Sequence, residues 1–126
     1  MSRSIPAVLA LALTLSCAGP AAPLPADSRP EIPLYEGLGP HVRKVTKSSP
    51  EAQRYFDQGL NFLYGFNHDE AIRAFKKAAE FDPSCAMAHW GIAYANGPHI
   101  NNPVVPESRE KAAYEAVAVA RQHLDG

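Results

Sequence analysis

The sequence predicts an all-α fold: two antiparallel helix–turn–helix hairpins that follow an N-terminal segment without regular structure. Three observations carry this prediction. Apolar residues recur at helical spacing from about residue 50 to residue 124. The small residues Gly59, Ala71 and Ala78 interleave with the large Tyr55, Phe62 and Phe75, the combination that two closely packed helices require. Helix start and stop signals fall at the ends of the stripes: Ser49-Pro50, Gly65, Asn67 and Asp82-Pro83.

The elements follow in order along 126 residues. Residues 1–17 read as a signal peptide, with Arg3 as a minimal positive region and residues 5–15 as the apolar stretch. That stretch is shorter than the roughly 20 residues that span a bilayer. Two cleavage readings stay open. Leu13-Thr14-Leu15-Ser16-Cys17 resembles a lipoprotein signal, in which Cys17 is lipidated and anchors the chain to a membrane; Ser16-Cys17-Ala18 also suits ordinary cleavage after Ala18. Both predict a bacterial protein that is exported, whether periplasmic or membrane-anchored.

Residues 18–33 carry prolines at 20, 23, 25, 30 and 33, which predict a disordered, semi-stiff tether. Residues 34–49 are an irregular lead-in. Gly37, Gly39 and Pro40 break regular structure there, while scattered apolar residues predict that it lies along the first helix.

The repeats are expected over residues 50–126. Ser49 precedes Pro50 and Glu51, a favourable helix start, and the apolar stripe then runs Tyr55, Gly59, Phe62, Leu63 and Phe66, with Gly65 as the stop. Asn67 with Glu70 three residues on predicts a capping box for the second helix, whose stripe is Ala71, Ile72, Phe75, Ala78 and Ala79. A third helix is expected over about residues 84–95 and a fourth over about 107–124. Gly91 and Tyr94 recur 32 residues after Gly59 and Phe62, whereas Tyr114 follows Phe75 by 39, so the second hairpin has seven extra residues in its turn.

The order Tyr55, Gly59, Phe62, Ala71, Phe75, Ala78, Pro83, with Gly91 and Tyr94 in the next unit, resembles the tetratricopeptide repeat (TPR). This is a unit of about 34 residues that stacks into an α-solenoid. The strings GLGPHVRKVT, SPEAQRYFDQGL, FNHDEAIRAF and DPSCAMAHWGIA resemble uncharacterised exported bacterial TPR-containing proteins, which are longer. The resemblance implies an N-terminal fragment of such a chain. It also implies a concave surface, made by the first helix of each hairpin, that binds a protein or peptide partner.

Twelve basic and thirteen acidic residues, with no clustered basic face, argue against nucleic acid as a partner. Two cysteines exclude a disulfide framework, and Cys85, beside Ala86, Met87 and Ala88, reads as a small buried apolar group. Gln58, Asn61, Tyr64 and Asn96 interrupt the apolar stripes and are the expected exposed positions of a binding surface. Asn101 and Asn102, in the 96–106 turn, join them as loop candidates. Trp90 and Tyr94, one helical turn apart, are expected in the core.

His41, His68 and His99 fall at one end of the hairpins, the basis for an alternative reading as a periplasmic ligand- or metal-binding module. No pair has the close spacing of a strong metal motif, no cofactor is called for, and no nucleophile elbow or phosphate loop is present. The leading reading is thus a non-catalytic scaffold, with an accessory domain of a longer enzyme as a further alternative. The last helix, rich in Ala and Val from Ala112 to Ala120, is broad in apolar surface for a solvent-facing end, which predicts self-association or a further repeat over it.

Overall fold

The computed structural model describes residues 29–46 and 48–124, and from Glu31 onward these form one unit. The expected signal peptide, with Cys17, and nearly all of the expected tether lie outside the described residues. Four helices and no strand occur among the described residues: α1 (Pro50–Tyr64), α2 (His68–Phe81), α3 (Ala86–Asn96) and α4 (Glu107–Gln122). The fold is all-α. Helix α1 packs against α2, α2 against α3 and α3 against α4, while α1 also reaches α3.

Each boundary has a local cause. The Ser49 hydroxyl accepts the Ala52 N–H at 3.1 Å, and Pro50, which has no N–H to leave unpaired, opens α1. Helix α1 closes with the Phe66 N–H on the Leu63 carbonyl (3.1 Å) and the Asn67 N–H on that of Phe62 (2.9 Å). These are the two bonds of a Schellman ending, but its left-handed residue is Phe66 (φ 59°). The expected stop, Gly65, is at φ −80° and spends no glycine freedom.

Asn67 caps α2 by accepting the Glu70 N–H at 3.4 Å. The return arm of the expected capping box does not form: the Asn67 N–H is taken by Phe62, and the Glu70 carboxylate pairs with Arg73 at 2.8 Å. Helices α3 and α4 start without a side-chain cap.

At the centre lies Phe75 of α2, fully buried. A Cβ at Gly59 would stand 2.5 Å from its ring, and one at Gly91 would stand 2.6 Å away. Helices α1 and α3 therefore both approach α2 across the same aromatic, and each does so only because it carries glycine there. Phe56 tilts against Phe75 at 5.5 Å between ring centroids, and the cluster around them includes Leu60, Leu63, Ala71, Ala78, Ala88 and Ile92, with Val45 of the lead-in and Ala116 of α4.

This corrects the phase of the α1 stripe. Its inner face is Ala52, Phe56, Gly59, Leu60 and Leu63. Tyr55 and Phe62 are half-buried beside it, Tyr55 stacked on Phe81 (5.6 Å) and Phe62 edge-on to Tyr35 (5.8 Å), and Phe66 is exposed beyond the helix end. Helix α1 is covered on two sides, so two apolar stripes run along it.

The second cover is the lead-in. Residues 31–45 form a strap that runs along α1 twice, in opposite directions. The outgoing pass lies beside Tyr55 and Gln58, a turn at Gly37 (φ 76°) and Gly39 (φ 150°) reverses it, and the return runs down past Asn61, Asp57 and Gln53. The expectation that this segment lies along the first helix describes its course. Gly39 is required by its φ, whereas the nearest atom to a Cβ there, Asn61 Oδ1 at 2.6 Å, is the end of a side chain that can shift.

Candidate functional site

Three surfaces carry polar or aromatic side chains that do more than close the fold. The first is the outer face of α1. Gln58 Oε1 accepts the Tyr35 N–H (2.8 Å) while its Nε2 donates to the Pro33 carbonyl (2.9 Å). Asn61 Nδ2 donates to the His41 carbonyl (2.7 Å), Asp57 Oδ1 accepts the Arg43 N–H (2.9 Å), and Gln53 both donates to the Arg43 carbonyl and accepts the Val45 N–H (2.9 Å each). Gln53, Asp57 and Asn61 recur every four residues, so they share one helix face. The main chain of the strap supplies the complementary row.

The expected exposure of Gln58 and Asn61 is thereby corrected. Gln58 is buried, and Asn61 is half-covered beneath the strap that it binds. Asn96 is corrected too: it is buried, and its amide turns back to the Ile92 carbonyl at 2.8 Å. Tyr64 is exposed as expected, with the His41 ring edge-on at 4.8 Å.

The second surface is the corner where the two hairpin turns meet. His68 and His99 stack with ring centroids 4.0 Å apart. Arg109 of α4 pairs with Asp69 of α2 beside them, and Phe66 and Asn102 complete a shallow recess of about 300 Å³. His99 Nδ1 is buried without a hydrogen-bond partner. Desolvation first, then the proximity of His68 and of Arg109, pushes the His99 imidazole below its usual range.

Of the three histidines that the sequence places at one end, the structure brings two together and leaves His41 against Tyr64. Parallel stacked rings do not aim two nitrogens at one ion, and among the described residues no group of three His, Cys, Asp or Glu side chains could hold a metal. The adjoining turn is closed by main-chain bonds between His99 and Asn102 (3.2 and 2.9 Å), leaving Asn101 and Asn102 exposed.

The third surface is on the second hairpin. Trp90 and Tyr94 were expected in the core; they are 38% and 60% exposed, their rings tilted together at 5.2 Å. Tyr94 therefore does not pack the repeat as Phe62 does. On α4, Tyr114 is 77% exposed and Val117 44%. Sequence spacing could not reveal this, because it aligns Tyr114 with Phe75 without saying what lies over it.

Cys85 is buried and forms no disulfide; burial, ahead of the nearby Asp82 charge, raises its thiol pKa. No described helix is long and apolar enough to cross a membrane. A scan against protein-family models, a search of curated proteins and a search of solved structures each found no match.

Proposed function

We propose that this chain is a non-catalytic, exported scaffold of TPR type that binds a protein partner or an extended peptide. The repeat reading is supported by Gly59 and Gly91, 32 residues apart, meeting the same Phe75 ring. The observation that carries the binding reading is the exposed Trp90–Tyr94 pair on α3. Large aromatics offer wide contact area for little side-chain entropy and are enriched at interface centres. In the repeat alignment Trp90 and Tyr94 take the positions of Gln58 and Phe62, which with Tyr55 are the α1 residues that meet the outgoing pass of the strap.

Trp90 is the chain's one tryptophan, so its fluorescence reports on this face directly. Titration with a panel of extended, proline-containing peptides is expected to give a saturable shift that Trp90→Ala removes from a parallel calorimetric titration. A panel that leaves both signals flat would contradict the reading. The lipid anchor belongs to the same proposal: radiolabelled palmitate should incorporate at Cys17, and unchanged membrane association of Cys17→Ala would count against it. Self-association through Tyr114 and Val117 is checked by sedimentation.

A second reading, a ligand-binding module, is favoured by the meeting of His68 and His99, with an unpartnered ring nitrogen, in the recess beside Arg109. Saturable binding of a small anion such as phosphate that disappears in His99→Ala would support it; dilution heat alone would sink it.

A further inference from the structure

The strap is held chiefly by its main chain. Among its apolar side chains, Ile32 and Val45 near its two ends are buried and Leu34 is half-buried, whereas Tyr35, Leu38 and Val42 are exposed. What α1 grips is the row of backbone groups at Pro33, Tyr35, His41, Arg43 and Val45, with the Tyr55 hydroxyl on the Ile32 carbonyl at one end. Recognition through the main chain is tolerant of sequence, because every extended chain presents the same groups at the same spacing. The returning pass borders an open cleft of about 440 Å³, lined by Val42, Lys44 and Val45 of the strap and by Gln53 and Asp57 of α1.

We propose that this face of α1 is a binding site for an extended peptide of the type apolar–proline–any–aromatic. Residues 31–45 are its occupant in cis, and a peptide of the same type from a partner protein takes their place. This inference relies on the scaffold reading for the kind of partner and adds a second face to it.

The selectivity follows from the contacts. Ile32 is buried, its carbonyl accepts the Tyr55 hydroxyl, and its neighbour Glu31 pairs with Lys77 of α2. At the next residue α1 uses only a carbonyl, so proline, which has no N–H, fits without leaving a donor unpaired. Two residues on, Gln58 accepts an N–H, and the aromatic ring at that residue rests edge-on against Phe62. The glycine turn then brings the chain back along the Gln53–Asp57–Asn61 row. Because the bonds at His41 and Arg43 are exposed, release of the strap is a local opening, which withdraws Val45 from the edge of the core cluster and leaves the approach of α1 and α3 to Phe75 in place.

The test uses the full chain and a fluorescein-labelled synthetic peptide of residues 31–46. Ile32→Asp combined with Gly39→Val unseats the strap, since Asp is costly at a buried apolar position and Gly39 sits at φ 150°, a conformation that side chains rarely adopt. This variant should bind the peptide saturably and on the order of tenfold more tightly than the wild-type chain, which must first release its own segment. Adding Asn61→Ala should weaken that binding several-fold.

In the wild-type chain, saturating peptide should speed amide exchange at Tyr35, Arg43 and Val45, a readout that holds even if the double variant fails to fold. A folded double variant that binds no better than wild type, or wild-type exchange unchanged by the peptide, overturns the proposal. A wild-type dimer that dissociates on adding peptide assigns the face to a second copy and overturns the partner. Trp90 fluorescence is read in the same titrations, so a peptide that engages only α3 changes that signal while strap exchange stays fixed.

Discussion

The two hairpins carry the same pattern and end in opposite states. In the first, Phe75 is wholly buried between Gly59 and Gly91. In the second, Tyr114 holds the aligned position and is 77% exposed. The first hairpin is closed on both sides, by the strap over α1 and by α3 over Phe75; the second leaves Trp90 and Tyr94 on one helix and Tyr114 and Val117 on the other uncovered. In a stacked array each hairpin is buried by its neighbours and not by its own residues. The residue pattern therefore specifies what a position can pack against, and burial depends on whether that neighbour is present.

The contrast breaks most visibly at the aligned aromatics. Phe75→Ala should cost about 3–5 kcal/mol in urea unfolding, the range for emptying a buried aromatic site, whereas Tyr114→Ala should stay within about 0.5 kcal/mol. Near-equal losses would mean that Tyr114 is covered in solution.

Next come the glycines. Gly59→Ala and Gly91→Ala should each destabilise by about 1–3 kcal/mol, because each new methyl falls inside the van der Waals contact of Phe75. Both press on one ring, so the double variant should depart from additivity, and an additive double variant would argue against a shared contact.

Gln58→Ala should cost roughly 1–3 kcal/mol by leaving the Tyr35 N–H and the Pro33 carbonyl without their partner. The loss should be accompanied by protease cutting within the strap. The same change at the aligned position, Trp90→Ala, should have little effect on stability.

The His68–His99 corner supplies a smaller, pH-dependent effect. The folded-state pKa of His99 is depressed, so the unfolded chain takes up the proton first. The resulting stabilisation is complete above the ordinary histidine value of about 6.5 and is lost as pH falls from there through the folded value. Asp69 and Arg109 face the pair as an ion pair. The melting temperature should thus fall between pH 7 and pH 5, by less in His99→Gln than in the wild type. An identical slope in both would remove His99 from the account.

The smallest expected change is at Phe66. An exposed phenylalanine held at φ 59° carries backbone strain, so Phe66→Gly should stabilise by several tenths of a kcal/mol, read as a small rise in the urea midpoint.

Much of this architecture is legible in the sequence, for local reasons. Ser49-Pro50 and Asn67 are caps whose chemistry is complete within four residues, and both cap their helices as expected, although the return arm from Glu70 to the Asn67 N–H does not form. Gly59, Gly91 and Phe75 are legible because close approach demands small residues opposite a large one. Three things are not legible. The phase of α1 was obscured because Tyr55 and Phe62 form a second apolar stripe under the strap. Gln58, Asn61 and Asn96 read as surface amides because periodicity cannot distinguish an amide facing water from one facing main chain. The contact of His68 with His99 depends on the path of the 96–106 turn, which spacing does not encode.

Residue-resolved amide exchange of the intact chain tests the central contrast most directly. Helices α1, α2 and α3 around Phe75 should show the slowest exchange, the strap amides of Tyr35, Arg43 and Val45 an intermediate rate, and α4 the fastest of the helices. Protection in α4 equal to that in α2 would contradict the account, because it would mean that the two hairpins are closed alike.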